Sequence, residues 1–194
     1  MNVKEAIKER RAFRSLELIE ISDEIVKDFA EKAQIAPYCM NKQTWNFVIV
    51  REKGQLEKLF TTLSIGNKWV EKASMIIEIF SKPENDCIIQ ERQYYLFDTG
   101  LAAAFIILRA TELGLIAHPI AGCNEEKAKK ILEIPDQMRL ITLMVIGKHS
   151  KEINPGLSDS MKLGEKQRPA RKKLEDFIFL NSYNNKFVEK GSDK

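Results

Sequence analysis

The apolar positions of this chain fall into short blocks. Some have the spacing of one helix face, and others form the continuous runs of a buried strand. Val3 to Arg11 predicts a short charged helix. Ser22 then has the character of an N-cap, with Asp23 and Glu24 in the first turn of a second helix. That helix places Ile25, Phe29, Ala33 and Ala36 on one face and ends at Pro37. Trp45 to Val50, aromatic and β-branched, predicts a strand. Gln55 to Leu63 predicts another helix, Gly66 breaks it, and a helical turn follows around Trp69 to Lys72. Ser74 to Phe80 (S-M-I-I-E-I-F) reads as a largely buried strand.

From Cys87 to Leu113 the pattern is helical, with an interruption near Asp98 to Gly100. Leu101 to Leu113 is apolar almost all round, the mark of a central buried helix, and Gly114 suits its C′ position. Leu115 to His118 is a short extended segment closed by Pro119-Ile120-Ala121-Gly122. Asn124 caps a further helix with Glu125 and Glu126 at its positive end, a buried stripe of Ala128, Ile131 and Leu132, and a stop at Pro135. Leu140 to Ile146 predicts an apolar strand. Ser150 to Pro169 reads as a long polar loop, Glu175 to Leu180 as one more strand, and the end from about Lys190 as frayed. Four or five strands among more helix make the expected class α+β.

Composition narrows the function classes. A chain of 194 residues predicts one domain, spanning 1–194. Its net charge is only +3, which excludes a generic polyanion binder, so any electrostatic role needs local clustering. Cys39, Cys87 and Cys123 lie far apart with no C-x-x-C pair. No disulfide framework is implied, and reduced thiols in the cytoplasm are expected. His118 and His149 are the two histidines, without metal-ligand spacing, so no metal site is expected. Met1 to Phe13 is charged throughout, which predicts no signal peptide. Thr99 to Leu108, the longest uncharged apolar stretch, is too short for a membrane span, which needs roughly 20 residues.

Four segments have chemical potential. Arg10, Arg11 and Arg14 sit where a helix gives way to a loop. The planar guanidinium fork suits phosphate, although a solvated helix end gives the same pattern. Lys166 and Arg168 form a second basic cluster at the other end of the chain, with Arg171, Lys172 and Lys173 beside it as solvated charges. Ala36 to Phe47 carries Asn41 and Gln43, whose amides suit a flat heterocycle or an ordinary turn. Pro119 to Gly122 offers small residues that let backbone N–H groups approach a ligand, or simply a tight turn. His118 has no matched Ser or Asp for a triad, Cys123 is read as a core residue rather than an activated thiol, and Asp98 as a helix cap.

Taken together and in order, these segments resemble the nitroreductase family. R-R-A-F-R at Arg10 to Arg14 is similar to that family's opening R-R-S-x-R. Ala36 to Phe47 is similar to A-P-S-x-x-N-x-Q-P-W-x-F, Phe97 to Leu115 to the central helix signature, and Pro119 to Gly122 to the following P-I-A-G turn. Leu143 to Lys148 resembles the late strand and Lys166 to Arg168 the closing K-x-R, so the likeness runs from about Val3 to Leu180. It implies a mostly antiparallel sheet flanked by helices, in an intertwined homodimer with FMN at the subunit interface. It further implies that Arg10, Arg11, Ala12, Arg14, Lys166 and Arg168 hold the phosphate and ribityl end. Ala121 and Gly122 would present backbone N–H groups near the flavin N5, and Asn67 would contact the pyrimidine edge, with Lys68 nearby. Pro37, Tyr38, Cys39 and Asn41, supported by Gln43, would come from the other subunit. NADH or NADPH would reduce FMN, and an electron-poor acceptor such as a nitroaromatic or quinone would reoxidise it, with no obligatory protein acid or base.

The chain departs from the family pattern at Ala12, Tyr38 and Thr44, which stand where the family has serine, serine and proline. By that resemblance Ala12 would remove a hydroxyl from the phosphate end, and Tyr38 could narrow the pocket over the flavin and change acceptor choice. Two other readings stay open at this point. The same flavin fold could run dehalogenation, flavin fragmentation or metabolite dehydrogenation. A non-enzymatic module could bind nucleotide or nucleic acid through the basic clusters, although Phe13 is the lone aromatic among the arginines, too few for single-strand recognition.

Overall fold

The structure is a computed structural model that describes residues 1–85 and 87–188. The frayed end expected from about Lys190 lies outside the described residues. Five strands form one antiparallel sheet: β1 (Leu16–Glu17), β2 (Asn46–Val50), β3 (Met75–Ser81), β4 (Ile116–Ile120) and β5 (Arg139–His149). The path runs β1-β5-β3-β2, and β4 also pairs with β5. The longest strand, β5, is therefore the spine. It pairs Ile76 with Val145, His118 with Val145 and Leu16 with His149. The chain is α+β, as its pattern predicted.

Six helices flank the sheet: α1 (Val3–Glu9), α2 (Asp23–Gln34), α3 (Lys53–Phe60), α4 (Tyr94–Glu112), α5 (Glu125–Leu132) and α6 (Asp159–Lys166). Successive side chains of β3 point to opposite faces, and both faces are covered, so all seven of its residues are buried. On one face Met75, Ile77 and Ile79 meet Phe29 and Ala33 of α2 and Ala102, Ile106 and Ala110 of α4. On the other, Ile76 meets Leu56 and Leu59 of α3, Trp69, and Ala128 of α5. Local capping starts and stops these helices where the sequence indicated. The Ser22 and Asn124 side chains accept the N–H groups of Ile25 and Lys127, and Gly114 follows α4 at φ 74°.

Five expectations are corrected. Helix α4 starts at Tyr94, not Cys87, and runs through 98–100 without interruption. Before it the chain turns through Gln90 and Glu91, both at positive φ. Pro119 and Ile120 belong to β4, whose ladder partner is β5. The polar stretch 150–169 contains α6, capped by Ser158. Leu174–Asp176 is a 3-10 turn rather than part of a strand, and Phe179 makes only a bridge to Lys186. Strand β1, only two residues long, was not anticipated. Among the described residues, no helix is long and apolar enough to cross a membrane.

Candidate functional site

The two basic clusters meet. Helix α1 releases the chain at Arg10, and α6 ends at Lys166, just before Arg168. The Arg168 guanidinium donates to the Lys8 carbonyl at 2.7 Å and the Arg10 carbonyl at 2.9 Å, filling acceptors that the end of α1 leaves open. Arg11 donates to the Gly164 carbonyl. The buried Glu165 carboxylate accepts the N–H groups of Arg14 at 2.8 Å and Ser15 at 3.2 Å. These bonds bridge about 150 residues of sequence and define a hollow of about 190 Å³. Arg10, Arg11, Ala12, Arg14, Gly164, Arg168, Pro169 and Arg171 line it.

This hollow is electrostatically unfinished. The arginine ion pairs of the described residues are made by Arg51, Arg109 and Arg139 rather than by these five arginines. Burial, then repulsion from Arg168 and Arg171, pushes the Arg10 pKa below its usual value. A bound anion would relieve that repulsion and receive several charge-assisted hydrogen bonds. Arg11 lies 4.4 Å from the Phe13 ring and Arg14 5.8 Å from the Trp69 ring, so aromatic faces help to aim both side chains. Arg171, read from sequence as a solvated charge, lines the hollow. Lys166 is exposed and does not line it.

The turn after β4 forms a second grouping. The Gly122 carbonyl accepts the Ser64 N–H and the Asn67 side-chain amide, each at 3.0 Å. A Cβ at position 122 would lie 2.5 Å from both Asn67 Nδ2 and Ser64 Oγ, so any larger residue has to displace both side-chain ends. The structure thus brings Asn67 to Gly122. Lys68 beside it is exposed.

The loop after α2 forms a third. Tyr38 packs its ring 5.1 Å from that of Trp45. Met40, Asn41 and Gln43 all have positive φ, a left-handed conformation that costs non-glycine residues on the order of 1 kcal/mol each and asparagine less. Gln43 donates to the Asn41 side chain at 3.4 Å, and Pro37 and Met40 are exposed. The Cys39 N–H donates to the buried Asp98 carboxylate at 2.9 Å. Asp98 lies inside α4 and anchors this loop, and so is not the helix cap expected from sequence. The expectation of unpaired thiols is also corrected. Cys39 and Cys87, 48 residues apart, are joined in a disulfide, and Cys123 is free. The loop's side-chain bonds to the rest of the chain run to Asp98 and Ser81, away from the arginine hollow.

His118 and Cys123 are unsuited to acid–base or thiolate chemistry near neutral pH. Burial pushes His118 down to about 4, and its Nδ1 lies 3.1 Å from the Phe13 carbonyl. Burial pushes the Cys123 thiol up to about 12. Glu165, Gly164 and the anchoring role of Asp98 escaped sequence reading. The Ser158 cap ahead of Asp159 was the one local signal that a helix delivers Gly164 and Glu165.

Comparison with known proteins places these groupings in context. The model of the nitroreductase family matches residues 7–78 and 65–148. A Methanothermobacter thermautotrophicus protein, provisionally named an NADH dehydrogenase/NAD(P)H nitroreductase, is 26% identical over 164 residues, which are 82% of each chain. The crystal structure of a nitroreductase family protein from Clostridium novyi superimposes with a TM-score of 0.72 at 25% identity, over 96% of this chain and 97% of that one. An FMN-dependent nitroreductase from Clostridium difficile gives a TM-score of 0.70 at 21% identity, over 92% and 98%.

Proposed function

This chain belongs to the nitroreductase family, and from that premise we propose that it is an FMN-dependent NAD(P)H oxidoreductase. The arginine hollow is the observation that carries this reading. Its size and unpaired cationic lining fit a phosphate monoester. Arg10, Arg11, Arg14 and Arg168 would hold the phosphate and ribityl end, with Glu165 fixing the backbone at Arg14. Ala12 adds no hydroxyl to that set. Ala121 and Gly122 would meet the isoalloxazine with backbone groups, and Asn67, oriented by its bond to Gly122, would meet the pyrimidine edge.

When bound, FMN supplies the hydride chemistry, and the chain supplies binding, orientation and electrostatics. The positive field of the hollow would offset the charge of the phosphate it holds. No residue is assigned as a proton donor, in keeping with the poor acidity of Cys123 and the neutral, buried His118. The hollow alone is too small for a three-ring system, so the site needs another wall. We assign that wall to Pro37, Tyr38, Cys39, Asn41 and Gln43 of a second copy, in a homodimer acting in the cytoplasm. Phe97 at 61% exposure, Ile88 at 76% and Met40 at 81% are apolar surface that such a dimer would cover. NADH or NADPH is the donor, and nitroaromatics or quinones are the acceptor class, with Tyr38 narrowing the choice.

The purified protein should be yellow, sediment as a dimer, and release flavin absorbance on denaturation. Catalysed oxidation of NADH or NADPH should then depend on a nitroaromatic or quinone. A colourless protein that cannot be reconstituted with FMN would overturn the assignment. Flavin binding without NAD(P)H oxidation would overturn the donor and point to a different reaction on the same cofactor.

A further inference from the structure

We propose that Cys39 and Cys87 form a reversible thiol–disulfide site, open to small dithiols, that sets the conformation of the 38–43 loop. The bond joins the loop after α2 to the turn before α4, with the two Cα atoms 6.2 Å apart. Both segments carry non-glycine residues at positive φ: Met40, Asn41 and Gln43 on one side, Gln90 and Glu91 on the other. Such conformations persist only where surrounding ties over-determine them. For the 38–43 loop, the hydrogen bond to Asp98 and the disulfide both act at Cys39. The other hydrogen bonds of the loop, Lys42 N–H to Cys39 and Gln43 to Asn41, are internal and cannot hold it against α4. The Ser81 hydroxyl holds the Thr44 carbonyl just past the loop, but within 38–43 Cys39 alone fastens the strained segment to α4, and half of that fastening is a bond that redox chemistry can break.

The two sulfurs differ in access. Cys87 is 5% exposed, whereas Cys39 is half-buried on a loop whose next residue is open to solvent. A dithiol therefore attacks as thiolate at the Cys39 sulfur. The protein S–S bond breaks, and Cys87 leaves as thiolate and takes up a proton. The second thiol of the reagent then closes on the mixed disulfide and releases Cys39 as a thiol. The protein gains two electrons and two protons, and the dithiol becomes a cyclic disulfide. In a reducing compartment such a bond responds to conditions rather than serving as a permanent staple.

With FMN seated as proposed above, the loop supplies one wall of the partner's site, and the latch acquires a second consequence. Reduction frees Met40, Asn41 and Gln43 to leave the left-handed region, moves Tyr38 and Asn41 off the ligand, and weakens FMN binding. Linkage requires the converse, so bound FMN protects the disulfide by the same factor.

Three measurements on the full-length protein test this. After oxidation with diamide, alkylation in denaturant should label Cys123 alone, and after dithiothreitol all three cysteines. Amides 39–44 should exchange hydrogen faster in the dithiothreitol-reduced protein and in Cys87→Ala than in the oxidised protein. The FMN dissociation constant, read by flavin fluorescence, should rise at least about fivefold in the same two samples. Three labelled cysteines after diamide, or unchanged exchange of the loop on reduction, would overturn the site. Equal FMN affinity in both states would overturn its coupling to the cofactor while leaving the cofactor assignment intact. Failure to bind FMN in either state would instead overturn the cofactor assignment, and alkylation and exchange would still decide the thiol site.

Discussion

Arg10 and Arg168 lie far apart in sequence, yet the second donates to the carbonyl of the first while both face one hollow. Replacing both with alanine removes two cations from the proposed phosphate site, and FMN affinity should fall by a hundredfold or so, roughly 3 kcal/mol. A flavin titration checks this, and a double variant that stays fully yellow contradicts the site. Glu78 is a different case. It is fully buried in β3, neither of its oxygens has a partner, and burial, reinforced by Glu125, pushes its pKa up to about 8. Between about 4.5 and 8 the folded chain therefore retains a proton that the unfolded chain has lost. Stability from this group is complete below that window and falls as pH rises through it. Denaturant melts across that range should show a downward slope in the native protein and a flatter one in Glu78→Gln. The core strand pattern made Glu78's burial legible in sequence, but its lack of partners depends on the sheet's neighbours and was not.

Among the elements, those with strong local signals were read correctly. Ser22, Asn124 and Gly114 act through bonds within a few residues of themselves, so capping chemistry alone locates α2, α5 and the end of α4. Helix α6 was lost in a polar Gly- and Pro-containing stretch because eight residues give a weak period. The turn ahead of α4 was mistaken for helix because apolar residues such as Ile88 and Ile89 read the same exposed or buried. For the candidate site, Arg10, Arg11, Arg14 and Arg168, which line the hollow, and Asn67 and Gly122, which the structure joins, were singled out by motif order. Glu165 and Asp98 were not, since each acts on a backbone N–H delivered by a remote segment. The turn after β4 supports a prediction at this scale. Gly122→Ala must displace both Asn67 and Ser64, and overpacking of this kind costs about 1–3 kcal/mol. Thermal melts should show that loss together with weaker FMN binding, and an unchanged melting temperature would mean the side chains yield freely.

In the molecule as a whole, β5 organises the fold because three other strands pair with it. Periodicity announced a buried strand there but carried no information about its partners, so strand order was left to the resemblance. The disposition of the three groupings follows from the same topology. The arginine hollow closes around one end of β5, where β1 joins it at His149 and Lys148, while the loop after α2 is fastened to α4. The hollow draws on residues 10–14 and 164–171, so it has a consequence for biosynthesis. Most of the polypeptide must leave the ribosome before the proposed phosphate site can be complete. The sheet, whose last strand ends at His149, can assemble earlier. With the nucleotide held as proposed, cofactor loading would come late in the life of a nascent chain, and retention of the nucleotide would report that synthesis has passed Arg168.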